Sequence, residues 1–143
     1  MSDNLQRSAD MVFLALALYR EARGATHECK VAVAFSIMDR VQHPGWWGRD
    51  IMGVLFKRWQ YSSLTNPKDP QLTIWPQPDE NAWQECLAIA EQVIAGALDN
   101  PVPGADSYYD ISIPPPVWTK DARFVAQLGR IKFYEVRREA SKQ

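Results

Sequence analysis

The sequence predicts a mainly helical α+β domain with a small, irregular β element. Three observations carry this. Residues 11–19 form a nearly unbroken apolar run, and residues 31–41 and 82–97 repeat apolar side chains every three or four positions. Pro101, Pro103, Pro114, Pro115 and Pro116 then exclude continuous helix from the last third of the chain. At 143 residues the chain has room for a single domain, 1–143. A chain of this size buries about two-thirds of its unfolded surface, so it needs no disulfide framework.

The first helix is expected to start near Ser8, an N-cap residue type, and to stop before Gly24. Apolar on all sides from Met11 to Leu18, it reads as the central helix of the core. Thr26 caps a second helix, with His27 and Glu28 in its first turn and Val31, Ala34, Phe35, Met38 and Val41 on one buried stripe. His43-Pro44-Gly45 ends it. Two helices joined by so few residues pack as a hairpin or corner, which puts Glu21 where the chain turns. A short helix over 50–57 faces Ile51, Val54 and Leu55 inward. Residues 59–78, with Pro67, Pro70, Pro76 and Pro78, read as a long loop, and loops of that length are more often functional than idle. Asp79 is expected to cap a helix over 80–97, with Asp99-Asn100-Pro101 ending it. Ser107–Asp110 and residues 130–136 read as short strands, the second alternating Ile131 and Phe133 against Lys132 and Tyr134.

Charge narrows the function classes. Sixteen basic and 17 acidic residues leave a net charge of -1, so no nucleic-acid partner is expected. Arg130, Lys132, Arg137, Arg138 and Lys142, interspersed with Glu135 and Glu139, read as a solvated face. Cys29 and Cys86 lack metal spacing and read as free, buried thiols. His27, Glu28 and Cys29 do not share a helix face, so no metal and no cofactor is expected. Nine apolar residues are too few to cross a bilayer, and stable membrane insertion is not expected. The same run lacks the flanks of a signal peptide, so the expectation is cytoplasmic synthesis, with export, release or injection by another agent if the target lies outside the cell.

Glu21 is the residue that points to chemistry. It closes the apolar run and opens Glu21-Ala22-Arg23-Gly24. Desolvation favours the protonated form of a carboxyl group, the form that a general acid requires. The competing reading is a surface carboxylate paired with Arg20 or Arg23. Aromatic residues make up 11% of the chain, and Trp46, Trp47, Trp59, Trp75 and Trp118 fall in or beside loops. Flat apolar rings beside polar groups suit stacking on sugars, although any one of these rings would equally fill a small core. Glycoside cleavage follows as the candidate reaction, in which an acid protonates the glycosidic oxygen. Asp39, Asp69, Asp106 and Asp110 are candidates for a second carboxylate, and no spacing selects one. A lytic transglycosylase requires only one glutamate.

The motif Tyr19-Arg20-Glu21-Ala22-Arg23-Gly24, followed by Val31-Ala32-Val33-Ala34 and Met38-Asp39-Arg40-Val41, resembles the opening of the SleB-like cell-wall hydrolases, the spore cortex-lytic enzyme family. Ile51-Met52-Gly53-Val54-Leu55 with Trp59-Gln60-Tyr61-Ser62 resembles that family's middle motif. Gly104-Ala105-Asp106-Ser107-Tyr108-Tyr109, Pro116-Val117-Trp118, and Leu128-Gly129 with Phe133-Tyr134 resemble its C-terminal motifs, so the resemblance runs over about 11–136. Four positions depart from the family pattern: Asp39 stands for a usual Asn, Ala25 for an acidic or polar residue, and Ile131-Lys132 for a pair ending in His.

The resemblance implies a lysozyme-like helical fold and peptidoglycan glycan strands as substrate. Without the family's export signal, the chain is expected to be a phage endolysin or virion-associated lysin that reaches the wall by holin-type release or as part of a virion. Cleavage between N-acetylmuramic acid and N-acetylglucosamine would leave a 1,6-anhydro end, with Glu21 as both acid and base. Gln60, Ser62, Tyr108, Tyr109 and Trp118 fall on motif positions expected to line the cleft, with Trp59 joining Trp118 in stacking on sugar. Two alternatives stand beside this. One is a muramidase or chitinase-type hydrolase with a second carboxylate, and the other is a non-catalytic wall-binding or virion structural module. The sequence specifies no oligomeric state.

Overall fold

The computed structural model describes residues 3–58 and 60–136. Five helices, α1 (Asp3–Ala22), α2 (His27–Gln42), α3 (Ile51–Leu55), α4 (Ser62–Thr65) and α5 (Asn81–Ile94), precede three strands. These are β1 (Ser107–Asp110), β2 (Arg123–Leu128) and β3 (Ile131–Glu135). Short 3-10 turns occupy Pro70–Thr73 and Val117–Lys120. Expected Trp59, Arg137, Arg138, Glu139 and Lys142 contributions lie outside the described residues.

The apolar run forms the buried half of α1, where Leu14 through Tyr19 are sealed from solvent. It packs against α2, α3, α4 and α5, the position expected of a central helix. The helix is already formed at Asp3, the first described residue, rather than starting near Ser8. Residues 3–8 are exposed and carry nothing that breaks a helix, and Gln6 donates to Asp10 one turn later at 2.9 Å. Asp3 in the first turn suits the positive end of the helix dipole. An N-cap residue type does not start a helix when the residues before it can extend one.

The Thr26 hydroxyl caps α2 by accepting from the Cys29 N–H at 3.2 Å, and His43 closes the other end. Asp50 caps α3 by accepting from Gly53 N–H at 2.7 Å. The turn before it lies so close that a Cβ on Gly48, whose φ is +124°, would sit 2.8 Å from the Gly53 carbonyl carbon. Only glycine fits there. The stretch expected to be a loop at 59–78 contains α4 and a 3-10 turn capped by Asp69.

Helix α5 is shorter than expected at both ends. Glu80, not Asp79, holds the N-cap position, and its carboxylate accepts from Tyr19 Oη at 2.6 Å and Gln77 N–H at 3.1 Å. At the far end Gly96 takes φ +73°, with its N–H on Val93 and the Ala97 N–H on Gln92. This is a Schellman motif, and it stops the helix before Asp99-Asn100-Pro101 is reached.

The sheet is antiparallel in the order β1-β3-β2, with Tyr108 opposite Phe133 and Tyr109 opposite Lys132. Ile131 and Phe133 are buried, as the alternation in β3 predicts. Strand β2 was not legible from alternation. It is an edge strand with a register shift between Phe124 and Ala126, and most of its side chains stay partly exposed.

Helices α2 and α5 are tied by charge as well as packing. Buried Lys30 donates to Glu85, which also accepts from His27 Nδ1 at 2.7 Å. The hydrogen bond from Lys30, then that from His27, hold the Glu85 carboxyl below its ordinary value of 4.5. Because the folded chain releases this proton more readily than the unfolded one, the pair's contribution is full above pH 4.5 and is lost as pH falls below it. Chemical denaturation across acidic pH should therefore show a loss of stability that Glu85→Gln flattens. An equally steep loss in that variant would contradict it. Cys29 and Cys86 are free and buried. No helix among the described residues is long and apolar enough to cross a membrane.

Candidate active site

Helix α1 ends one residue after Glu21, and only the short link through Gly24 separates it from the capped start of α2. The Glu21 carboxylate therefore emerges at a corner, half-buried, where the sheet meets the helices. Tyr108 on β1 donates to Glu21 Oε1 at 2.6 Å. Among the described residues this is the hydrogen bond that carboxylate accepts, and neither Arg20 nor Arg23 pairs with it. Burial, then the Glu21 charge, push the Tyr108 phenol well above its ordinary value, so it stays a protonated donor.

Glu21 lines two cavities. The larger, about 570 Å³, lies between the α1–α2 corner and the β2–β3 turn, and holds Arg20, Arg23, Gln71, Asp110 and Arg130. The smaller, about 310 Å³, is aromatic: Trp46, Trp47, Tyr61, Tyr108 and Trp118 surround it, with Arg40 and Gln60. A carboxyl group at the junction of two cavities has access to a bond that joins an occupant of one to an occupant of the other.

The arginines follow different rules on the two sides. Arg20 donates to the Ile74 carbonyl at 3.1 Å and the Ser63 carbonyl at 3.0 Å, pinning residues 63–74 to the end of α1. The exposed Trp75 ring covers its guanidinium at 4.7 Å. Arg23 Nη1 donates to Tyr19 O at 3.0 Å and Gln71 Oε1 at 2.7 Å, with the guanidinium over the Tyr19 ring. Arg40 uses all three of its guanidinium nitrogens. It donates to the Asp106 carbonyl at 2.6 Å, to Gln60 Oε1 and to Ser107 Oγ at 3.1 Å, and lies against the rings of Trp47 and Tyr61.

The expected cleft residues divide. Gln60, Tyr108 and Trp118 line the smaller cavity with Glu21. Gln60 is used by the protein itself, because its amide donates to Trp47 O at 2.9 Å and Val54 O at 2.8 Å while its oxygen accepts from Arg40. Tyr109 lines neither cavity. Successive strand residues point to opposite faces, so Tyr108 turns to Glu21 while Tyr109 packs behind the sheet on Tyr134 and Trp118. Ser62 also lines neither cavity, and its exposed hydroxyl donates to Asp69 at 2.5 Å. Trp59 lies outside the described residues.

Among the four aspartates, Asp110 alone joins Glu21 in lining a cavity. Hydrogen bonds from Ser112, and the Arg130 charge beyond them, hold its carboxyl below its ordinary value. Asp69 caps the 3-10 turn, Asp106 accepts from the Val136 N–H at 2.8 Å, and Asp39 sits 3.4 Å from His43. Arg40 and Tyr61 of the smaller cavity and Gln71 of the larger are among the lining residues that sequence reasoning did not single out. The Met38-Asp39-Arg40-Val41 motif contains the first, but nothing in its spacing reveals partners 20 and 66 residues away.

A family model described as cell wall hydrolase matches residues 24–134. The chain belongs to the cell wall hydrolase family. Its fold is shared with the catalytic domain of the germination-specific lytic transglycosylase SleB from Bacillus anthracis, at TM-score 0.70 and 22% identity over 94% of this chain and 97% of that one. The catalytic domain of the Bacillus cereus SleB protein is similar at TM-score 0.67 and 23% identity, over 90% and 91% of the two chains. None of the curated proteins matches the chain in sequence. The lysozyme-like α+β architecture of this cell wall hydrolase is thereby shown. The family match begins three residues after Glu21, so a role for that residue rests on the geometry around it.

Proposed function

We propose that this cell wall hydrolase is a peptidoglycan lytic transglycosylase that acts on the bond between N-acetylmuramic acid and N-acetylglucosamine. The observation that carries the reading is the Glu21 carboxyl group between two cavities, with Tyr108 donating to one of its oxygens at 2.6 Å. With Oε1 occupied as an acceptor, Oε2 is the oxygen that bears the proton. Glu21 gives that proton to the glycosidic oxygen as the C1–O bond breaks and positive charge spreads over C1 and the ring oxygen of the muramyl sugar. The resulting carboxylate stabilises that charge. It then removes the proton from the muramyl C6 hydroxyl as O6 bonds to C1, which closes the 1,6-anhydro ring. The glutamate ends protonated, as it began, and no water is consumed. Tyr108 holds the carboxyl group in place through both transfers.

Ordinary hydrolysis is the second reading, favoured by Asp110, whose carboxylate shares the larger cavity with Glu21. It would make Asp110 the group that activates water or attacks C1. Under the transglycosylase reading Asp110→Asn still releases anhydro-ended products.

Tyr108→Phe tests the positioning role. It keeps the ring and removes the hydrogen bond, so kcat on purified sacculi should fall about ten- to a hundredfold with KM little changed. A rise in KM at constant kcat would instead make Tyr108 a sugar contact. Clearing of a sacculus suspension separates either enzyme from a wall-binding module, which would bind without clearing.

A further inference from the structure

The two cavities beside Glu21 differ in chemistry, and that difference gives the cleft a direction. Three basic residues, Arg20, Arg23 and Arg130, line the larger cavity with the acidic Glu21 and Asp110. Three basic residues against two acidic ones leave the cavity cationic when substrate binds. The smaller cavity has one arginine, Arg40, each of whose three nitrogens already donates to a protein acceptor.

Arg23 is different. Its Nη1 donates to both the Tyr19 carbonyl and Gln71 Oε1, and the Tyr19 ring lies 4.8 Å beneath the guanidinium. Its Nε and Nη2 have no acceptor among the described residues. Arg23 is therefore held in orientation while retaining a free edge. Arg20 Nη2 is buried and also lacks an acceptor among the described residues. Arg130 keeps its Nη groups beyond a 3.5 Å contact between Nε and Asp110. A guanidinium with two adjacent N–H groups free matches a carboxylate, which it binds through two parallel hydrogen bonds.

We propose that the larger cavity recognises the carboxylate-bearing arm of the muramyl residue, with Arg23 as the group that reads it. N-acetylmuramic acid differs from N-acetylglucosamine by a lactyl ether, which ends in a carboxylate or continues into a peptide that carries carboxylates. The proposal rests on peptidoglycan being the substrate. It orients the strand with its muramyl sugar towards Arg23 and its leaving N-acetylglucosamine towards Trp46 and Trp118.

The test is a two-dimensional amide NMR titration of the whole chain with four small ligands. These are N-acetylmuramic acid, a muramyl dipeptide with a free carboxylate, its carboxamide, and N-acetylglucosamine. The expected result is binding of a carboxylate ligand about tenfold tighter than the neutral ones, the worth of one charge-assisted pair. Shifts should centre on Gly24, Ala25 and Gly129, and the preference should vanish in Arg23→Gln. Preference for N-acetylmuramic acid itself identifies the lactyl carboxylate, and preference for the dipeptide alone identifies the stem. Equal affinities, a preference that survives Arg23→Gln, or shifts centred on Trp46 and Tyr61 would overturn the proposal. Should Arg23→Gln fail to fold, the wild-type comparison of carboxylate with carboxamide decides. Binding is read without turnover, so a chain that discriminates carboxylates but does not cut sacculi sinks the transglycosylase reading alone. One that cuts without discriminating sinks only the present proposal.

Discussion

Glu21→Gln is expected to abolish release of soluble fragments from sacculi while leaving the melting temperature unchanged. The amide has the shape of the carboxyl group, and its oxygen can still accept from Tyr108. What it lacks is a proton to give to the glycosidic oxygen and a basic site to take one back from the C6 hydroxyl. Removing one such acid–base group slows an enzyme by about two to four orders of magnitude. The fold should not notice, because the carboxylate is only half-buried and makes no ion pair among the described residues. Rate and Tm of the same preparation check both halves. Lysis at the wild-type rate by a folded Glu21→Gln chain would remove Glu21 from the mechanism.

Arg40→Ala is expected to have the largest effect on stability, and to reduce activity as well. The guanidinium joins three parts of the chain: α2, from which it comes, Gln60 after α3, and the start of β1 at Asp106 and Ser107. Gln60 in turn holds the carbonyls of Trp47 and Val54, so the walls of the smaller cavity depend on one side chain. Truncation leaves the Asp106 carbonyl and Gln60 Oε1 without these donors in a half-buried site. The cost should be about 3 kcal/mol, a fall in Tm of roughly 10 °C for a chain of this size. Tyr108 follows directly after Ser107, so its hold on Glu21 should loosen too. Arg40→Lys keeps the charge but cannot reproduce the planar fork, and it should recover only part of either loss. A Tm within about 2 °C of wild type in Arg40→Ala would show that the network is not structural.

Local signals made much of the fold legible. Thr26 before a three-and-four repeat announces α2, the apolar run announces the core helix, and the alternation of Ile131 and Phe133 announces β3. The misses have local causes as well. Strand β2 is an edge strand interrupted by a bulge, so its side chains do not alternate cleanly between core and solvent. Helix α5 ends at Gly96, where a left-handed residue satisfies the last carbonyls before the more conspicuous Asn100-Pro101.

The site was less legible than the fold. Glu21 stands out because a carboxyl group at the end of a buried helix needs a reason. Tyr108 and Tyr109 look alike as neighbours in a motif, yet the strand sends one to the carboxylate and the other to the far side of the sheet. Arg40 looks like any polar residue near the end of a helix. Its role comes from partners on two other segments, and no spacing along one helix encodes those. The same holds for the cationic character of the larger cavity, which Arg130 from the β2–β3 turn and Arg23 from the α1–α2 corner both line.

The central claim is that one glutamate cuts the glycan strand without water. Mass spectrometry of the soluble muropeptides released from purified sacculi, before and after borohydride reduction, tests it most directly. The account predicts anhydromuramyl ends that borohydride leaves unchanged. Muramyl ends that borohydride reduces would contradict it, making water the nucleophile and Asp110 the carboxylate to examine next.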